Sequence, residues 1–149
     1  ETKTKNGFSR KMAINFELIA KSNENWECVS LLMQRKPNRF NVAVSRLYYS
    51  IFLLLKCSMV HNSENQDLPD ITKMSLEAAT GVHFLALKYM RWLDPKLGAK
   101  YQVLIRLREQ ADYDPLPVTQ EEFEDACKFW SAIRSSFANH LESIGRLMP

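Results

Sequence analysis

A chain of 149 residues, 46% hydrophobic and 25% charged, has the size and composition of one globular domain with a sizeable core. Its net charge of +3 permits contact with an anionic partner without demanding one. Four glycines and six prolines are too few for a turn-rich β-sandwich, and favour long helices.

Residues 1–11 are polar and lysine-rich, with no apolar run, so they are not a secretory signal. The chain does not begin with Met and is expected to be trimmed. Residues 1–11 are accordingly expected to be disordered or foreign to the domain, and 12–149 to form a single helical unit. Cys28, Cys57 and Cys127 show no metal-ligand spacing and read as buried thiols in a reducing cytoplasm. No cofactor and no metal is implied.

Helical periodicity then runs through nearly the whole sequence, and no stretch alternates with period two. The first helix is expected over Met12–Lys36, stopped by Pro37. Asn38 is placed to cap a second helix reaching to about Val60, apolar on almost every side like the central helix of a bundle. Its longest apolar run, Phe40–Leu55, contains Arg46 and reads as too short to cross a bilayer.

Residues His61–Asp70 are rich in Asn, Ser, Glu and Asp and read as an exposed loop. A third helix is expected over Lys73–Leu93, closed at Asp94-Pro95, and a fourth over Lys96–Ala111. Asp114, preceding Pro115, should be extended. Thr119-Gln120-Glu121-Glu122 has the form of a capping box and opens a last helix running to about Leu147. The expected fold is all-α, an antiparallel bundle of about five helices.

At about 100° per residue, certain charges fall on the apolar stripes. In the fourth helix Arg108 and Asp112 lie within the stripe of Leu97, Tyr101, Leu104 and Ala111, whereas Arg106 points away. Arg134 falls among Phe123, Cys127, Trp130, Phe137 and Leu141. His83 shares a face with Leu76, Leu87 and Met90, and Arg46 with Tyr49, Ser50 and Leu53.

Convergence of Arg46, His83, Arg108, Asp112 and Arg134 would leave net positive charge in or near a groove. That suits phosphate, whose paired oxygens match the planar guanidinium fork. The plain alternatives are a structural Arg108–Asp112 ion pair, a core histidine at His83 and an Arg134 that snorkels past Trp130. Tyr48 and Tyr49 read as core residues with tethered hydroxyls.

Two islands carry a resemblance. Ser45-Arg46-Leu47-Tyr48-Tyr49 in the second helix and Arg108-x-x-Ala111-Asp112-Tyr113 ending the fourth resemble the HEPN domain family, and within it a small prokaryotic branch with an R-x-x-A-D-Y signature. His83, followed by an aromatic, is similar to that branch as well. The resemblance spans about Asn15–Leu141.

It implies an antiparallel helical bundle that dimerises with its polar site between protomers; the thiols and the short apolar run add the expectation of a cytoplasmic protein off the membrane. It also implies action on RNA, by a metal-independent endoribonuclease or a binder, in a toxin–antitoxin or antiviral defence system. A nucleotidyltransferase-type antitoxin or a defence effector would be the partner. In this frame Arg108, Asp112, Tyr113 and His83 are the candidate catalytic residues, and Arg46, Arg108 and Arg134 the candidates for RNA or phosphate.

The family's catalytic pair is an arginine and a histidine four to six residues apart. No histidine stands at that distance after Arg106 or Arg108; Asp112 and Tyr113 occupy the place. Arg134 and His140 have the spacing, but lie about 120° apart on the wheel. That departure supports the alternative of a catalytically silent module that dimerises and docks a partner.

Overall fold

The computed structural model describes residues 2–61 and 81–143, with side chains described for 17–59 and 81–137. Among the described residues there are five helices and no strand: α1 (Thr2–Arg35), α2 (Phe40–His61), α3 (Val82–Leu93), α4 (Pro95–Tyr113) and α5 (Gln120–Ser143).

Helix α2 occupies the centre and packs against the other four. Ala43, Val44, Leu47, Tyr48 and Leu55 on it have no solvent exposure. By length and composition Phe40–Met59 would suffice to cross a bilayer, contrary to the length read from the sequence. However, 72% of that stretch is buried inside the bundle, which makes it a core helix and indicates no membrane protein.

Side-chain pairs give the helix directions. Ser22 meets Ser50 and Asn25 meets Arg46, so α1 runs antiparallel to α2. Phe40 packs on Phe123 and Trp130 bonds Ser50, so α5 runs the same way as α2. His83 and Tyr89 of α3 bond Tyr48 and Ser58, which also aligns α3 with α2. The chain turns back sharply between α3 and α4, where Arg91 bonds Gln102.

Local signals account for most of the boundaries. Asp94 caps α4 by accepting from the Lys96 N–H, with Pro95 at the first position, where its missing N–H costs nothing. Helix α4 extends two residues past the expected Ala111, so Asp112 and Tyr113 are helical, and Asp114 beyond them is extended. The capping box is reciprocal: the Glu122 N–H donates to Thr119 Oγ1 and the Thr119 N–H to Glu122 Oε1.

Three boundaries differ from the sequence expectation. Helix α1 starts at Thr2 rather than Met12. Helix α2 starts at Phe40, one residue later than an Asn38 cap would set it, with the Ala43 N–H donating to the Arg39 carbonyl. Helix α3 begins at Val82, because Gly81 adopts φ 82°, a left-handed conformation that no α-helix interior accommodates.

The expected loop His61–Asp70, the start of the third helix at Lys73, Leu76 and the last turn to Leu147 lie outside the described residues, save for His61 itself, which ends α2. Cys57 is buried, but Cys28 and Cys127 are only half-buried, and none of the three forms a disulfide. Burial pushes Cys57 and Cys127 up to about 11, so neither is a thiolate near neutral pH.

Candidate functional site

The site is built around Tyr48. Its place on the inward face of the central helix leaves the ring fully buried, with neighbours from three elements. The Tyr101 hydroxyl of α4 donates to the Tyr48 hydroxyl at 3.1 Å. The Tyr48 hydroxyl in turn lies 2.5 Å from Nδ1 of His83 on α3. The imidazole stacks on Phe52, one turn along α2, with ring centres 4.3 Å apart. His83 is therefore held on both a face and an edge.

Arg108 reaches the same tyrosine from α4. Its guanidinium carbon sits 5.2 Å from the centre of the Tyr48 ring and 5.9 Å from those of Tyr49 and Tyr113. One turn on, Asp112 places Oδ2 3.5 Å from the guanidinium. The Arg108 side chain is 12% exposed and that of Asp112 28% exposed. Arg108 Nε is buried and has no hydrogen-bond partner among the described residues. Tyr113, 77% exposed, forms the rim.

Arg46 also lies over Tyr49, 5.1 Å from its ring centre, and donates to Asn25 Oδ1 of α1 at 3.1 Å. Two guanidinium groups thus share one tyrosine ring. Arg134 lies in a different cluster. It packs over Trp130, donates to Asn23 Oδ1, and keeps a second nitrogen buried and unpaired. Trp130 stacks on Trp26 and bonds Ser50, which lies about 200° round α2 from Tyr48.

So the structure brings His83, Arg108, Asp112, Tyr113 and Arg46 around Tyr48 and Tyr49, and sets Arg134 apart with α1. His140 lies beyond the described side chains. Tyr101 and Phe52 escaped the sequence reading as site residues. The signal for Tyr101 was its position seven residues, or two turns, before Arg108 on one stripe.

The electrostatics follow from burial and neighbours. Burial pushes the Tyr48 phenol up to about 12 despite the hydrogen bond from Tyr101 and the nearby Arg108 charge. Tyr101 is raised well above its ordinary value, again first by burial. Burial lowers His83, and the charges of Arg108 and Lys56 lower it further, so its imidazole is neutral near pH 7. For Arg108 burial opposes the charge, but Tyr49, Tyr48, Asp112 and Tyr113 outweigh it and raise the pKa.

The cluster therefore presents a fixed cation beside a neutral imidazole. That combination offers an oxyanion both charge and hydrogen bonding. Among the described residues no group of three or more His, Cys, Asp or Glu side chains has the arrangement of a metal site.

No curated protein and no solved structure matches the chain. A family model of the HEPN domain matches residues 17–140, a span that holds both sequence islands and all five polar residues singled out above. Membership points to an RNA-related, nuclease or defence-associated role in general terms. The chain belongs to the HEPN domain family.

Proposed function

We propose that this chain binds and acts on RNA as a cytoplasmic homodimer in a toxin–antitoxin or antiviral defence system. One observation carries the reading. Arg108 and His83, far apart in sequence and on different helices, both rest on Tyr48. Arg108 and Arg46 hold phosphate, Asp112 orients Arg108, and the exposed Tyr113 ring stacks on a base. Arg134 belongs to the anion surface only at a distance from this cluster.

The test is RNA binding and cleavage by the wild type, Arg108→Ala and His83→Ala, each with and without EDTA. The proposal expects Arg108→Ala to weaken binding, and any cleavage to persist in EDTA as a metal-independent endoribonuclease requires. Unchanged RNA affinity in Arg108→Ala overturns it.

A second reading is a catalytically silent bundle that dimerises and docks a nucleotidyltransferase or larger effector. The favouring observation is that Arg108 is mostly buried and paired with Asp112 within its own protomer. Under that reading Arg108→Ala lowers the melting temperature and leaves RNA affinity alone.

A further inference from the structure

The hydroxyls beside His83 have an order. Tyr101 donates to the Tyr48 oxygen, and Tyr101 and Tyr48 are both fully buried. With its oxygen receiving that proton, Tyr48 is left to donate its own, and Nδ1 of His83 is the atom in reach. An imidazole that accepts at Nδ1 and is neutral carries its single proton on Nε2. Among the described residues nothing hydrogen-bonds Nε2, and the residue is only partly buried.

We infer that the Tyr101–Tyr48 hydroxyl chain locks His83 in the tautomer protonated at Nε2, making it a hydrogen-bond donor to an RNA oxygen rather than a general base. The inference rests on the RNA-binding reading for its ligand, and on the hydroxyl geometry alone for its tautomer. Tyr48 and Tyr101 are positioning residues: they touch no ligand and act through the imidazole.

The surroundings agree with a neutral, donating ring. Arg108 faces it from α4, Lys56 from α2, and the Tyr49 ring lies edge-on, 6.1 Å from it. Two cations oppose a third charge on the imidazole. A general base at Nε2 would need the proton moved to Nδ1, where Tyr48 could then no longer donate. The Tyr48 oxygen would then accept from both Tyr101 and Nδ1, and its own proton would be left unpaired in the core unless the Tyr101 bond reversed.

Nitrogen-15 NMR of the intact protein near neutral pH reads the tautomer directly. The expected spectrum shows Nε2 protonated and Nδ1 bare. A wild-type His83 protonated at Nδ1 overturns the inference, whatever the protein does with RNA. Tyr48→Phe keeps the ring under Arg108 and removes only the hydroxyl; His83 should then sample both tautomers and titrate at higher pH. Tyr101→Phe, further from the imidazole, tests the same chain if Tyr48→Phe does not fold.

Affinity for a labelled single-stranded oligoribonucleotide completes the test. His83→Ala should weaken binding about tenfold, as loss of one hydrogen bond to a charged oxygen implies. His83→Gln retains a donor near the Nε2 position and should lose less. Equal losses in the two variants overturn the donor role. An Nε2-protonated wild type whose Arg108→Ala form binds RNA normally leaves the tautomer standing and overturns the RNA reading instead.

Discussion

The Tyr48 hydroxyl lies 2.5 Å from Nδ1 of His83 and joins the central helix to α3 across 35 residues of sequence. This bond, rather than any spacing along one helix, brings a histidine beside Arg108, which has no histidine following it at the family's usual spacing.

Stability should depend on pH through His83. Its pKa is lowered in the folded protein by burial and by Arg108 and Lys56, so the unfolded chain takes up a proton first as the solution is acidified. The contribution is fully present above the ordinary histidine value of about 6.5 and is lost as pH falls from there through the depressed value. Denaturant melts from pH 7.5 to 5 should show this decline, and His83→Gln should flatten it. The alkaline side has the opposite sign. Tyr48, raised to about 12, stabilises the fold below pH of about 10 and loses that effect as pH rises.

Ser50 should be costly to replace. It is fully buried, and its hydroxyl accepts the Trp130 Nε1–H at 3.2 Å. Ser50→Ala leaves that indole N–H unpaired in the core, at about 1–3 kcal/mol. Ser22 keeps its bond to the Ser50 carbonyl, so the loss should stay within that range. Chemical denaturation compared with a Ser136→Ala control on the exposed face of α5 measures it.

Arg108→Lys should not preserve the site. Lysine keeps the charge but not the planar group that lies over Tyr48, Tyr49 and Tyr113. A partly desolvated cation–π contact is worth about 1–2 kcal/mol, and a loss of that order in unfolding free energy is expected. If Arg108→Lys melts with the wild type, the ring contacts contribute little.

Gly98 marks a close approach of α3 and α4. A Cβ there would meet Arg91 Cγ at 2.6 Å and Arg91 Cα at 3.0 Å. Alanine normally gains about 1 kcal/mol over glycine in a helix. Here the Arg91 backbone cannot move without parting the helices, so Gly98→Ala should destabilise by about 1–3 kcal/mol. A rise in melting temperature would show that the α3–α4 contact yields more easily than this geometry implies.

Several features were legible from residue order because neighbours along the chain produce them. The Thr119–Glu122 box, the extended Asp114 and the Arg108–Asp112 pair each involve residues three or four apart or a single backbone position. The stripe of α4 correctly set Arg108 inward. The break at Gly81 was missed because periodicity tolerates a glycine, and only its left-handed backbone shows that the helix cannot pass through.

By itself, then, the sequence determined a helical bundle with α2 at its centre, the extended Asp114 that follows α4, the capping box that opens α5, and the inward polar residues of the HEPN pattern. These are set by apolar periodicity and by hydrogen bonds within a turn. Only the tertiary structure decided which inward residues meet. His83 joined Arg108 through Tyr48, while Arg134 went to Trp130 and to Asn23, 111 residues away. A helical wheel gives the direction of a side chain but not the rotation or partner of the helix opposite, and those follow from how five stripes pack around one core.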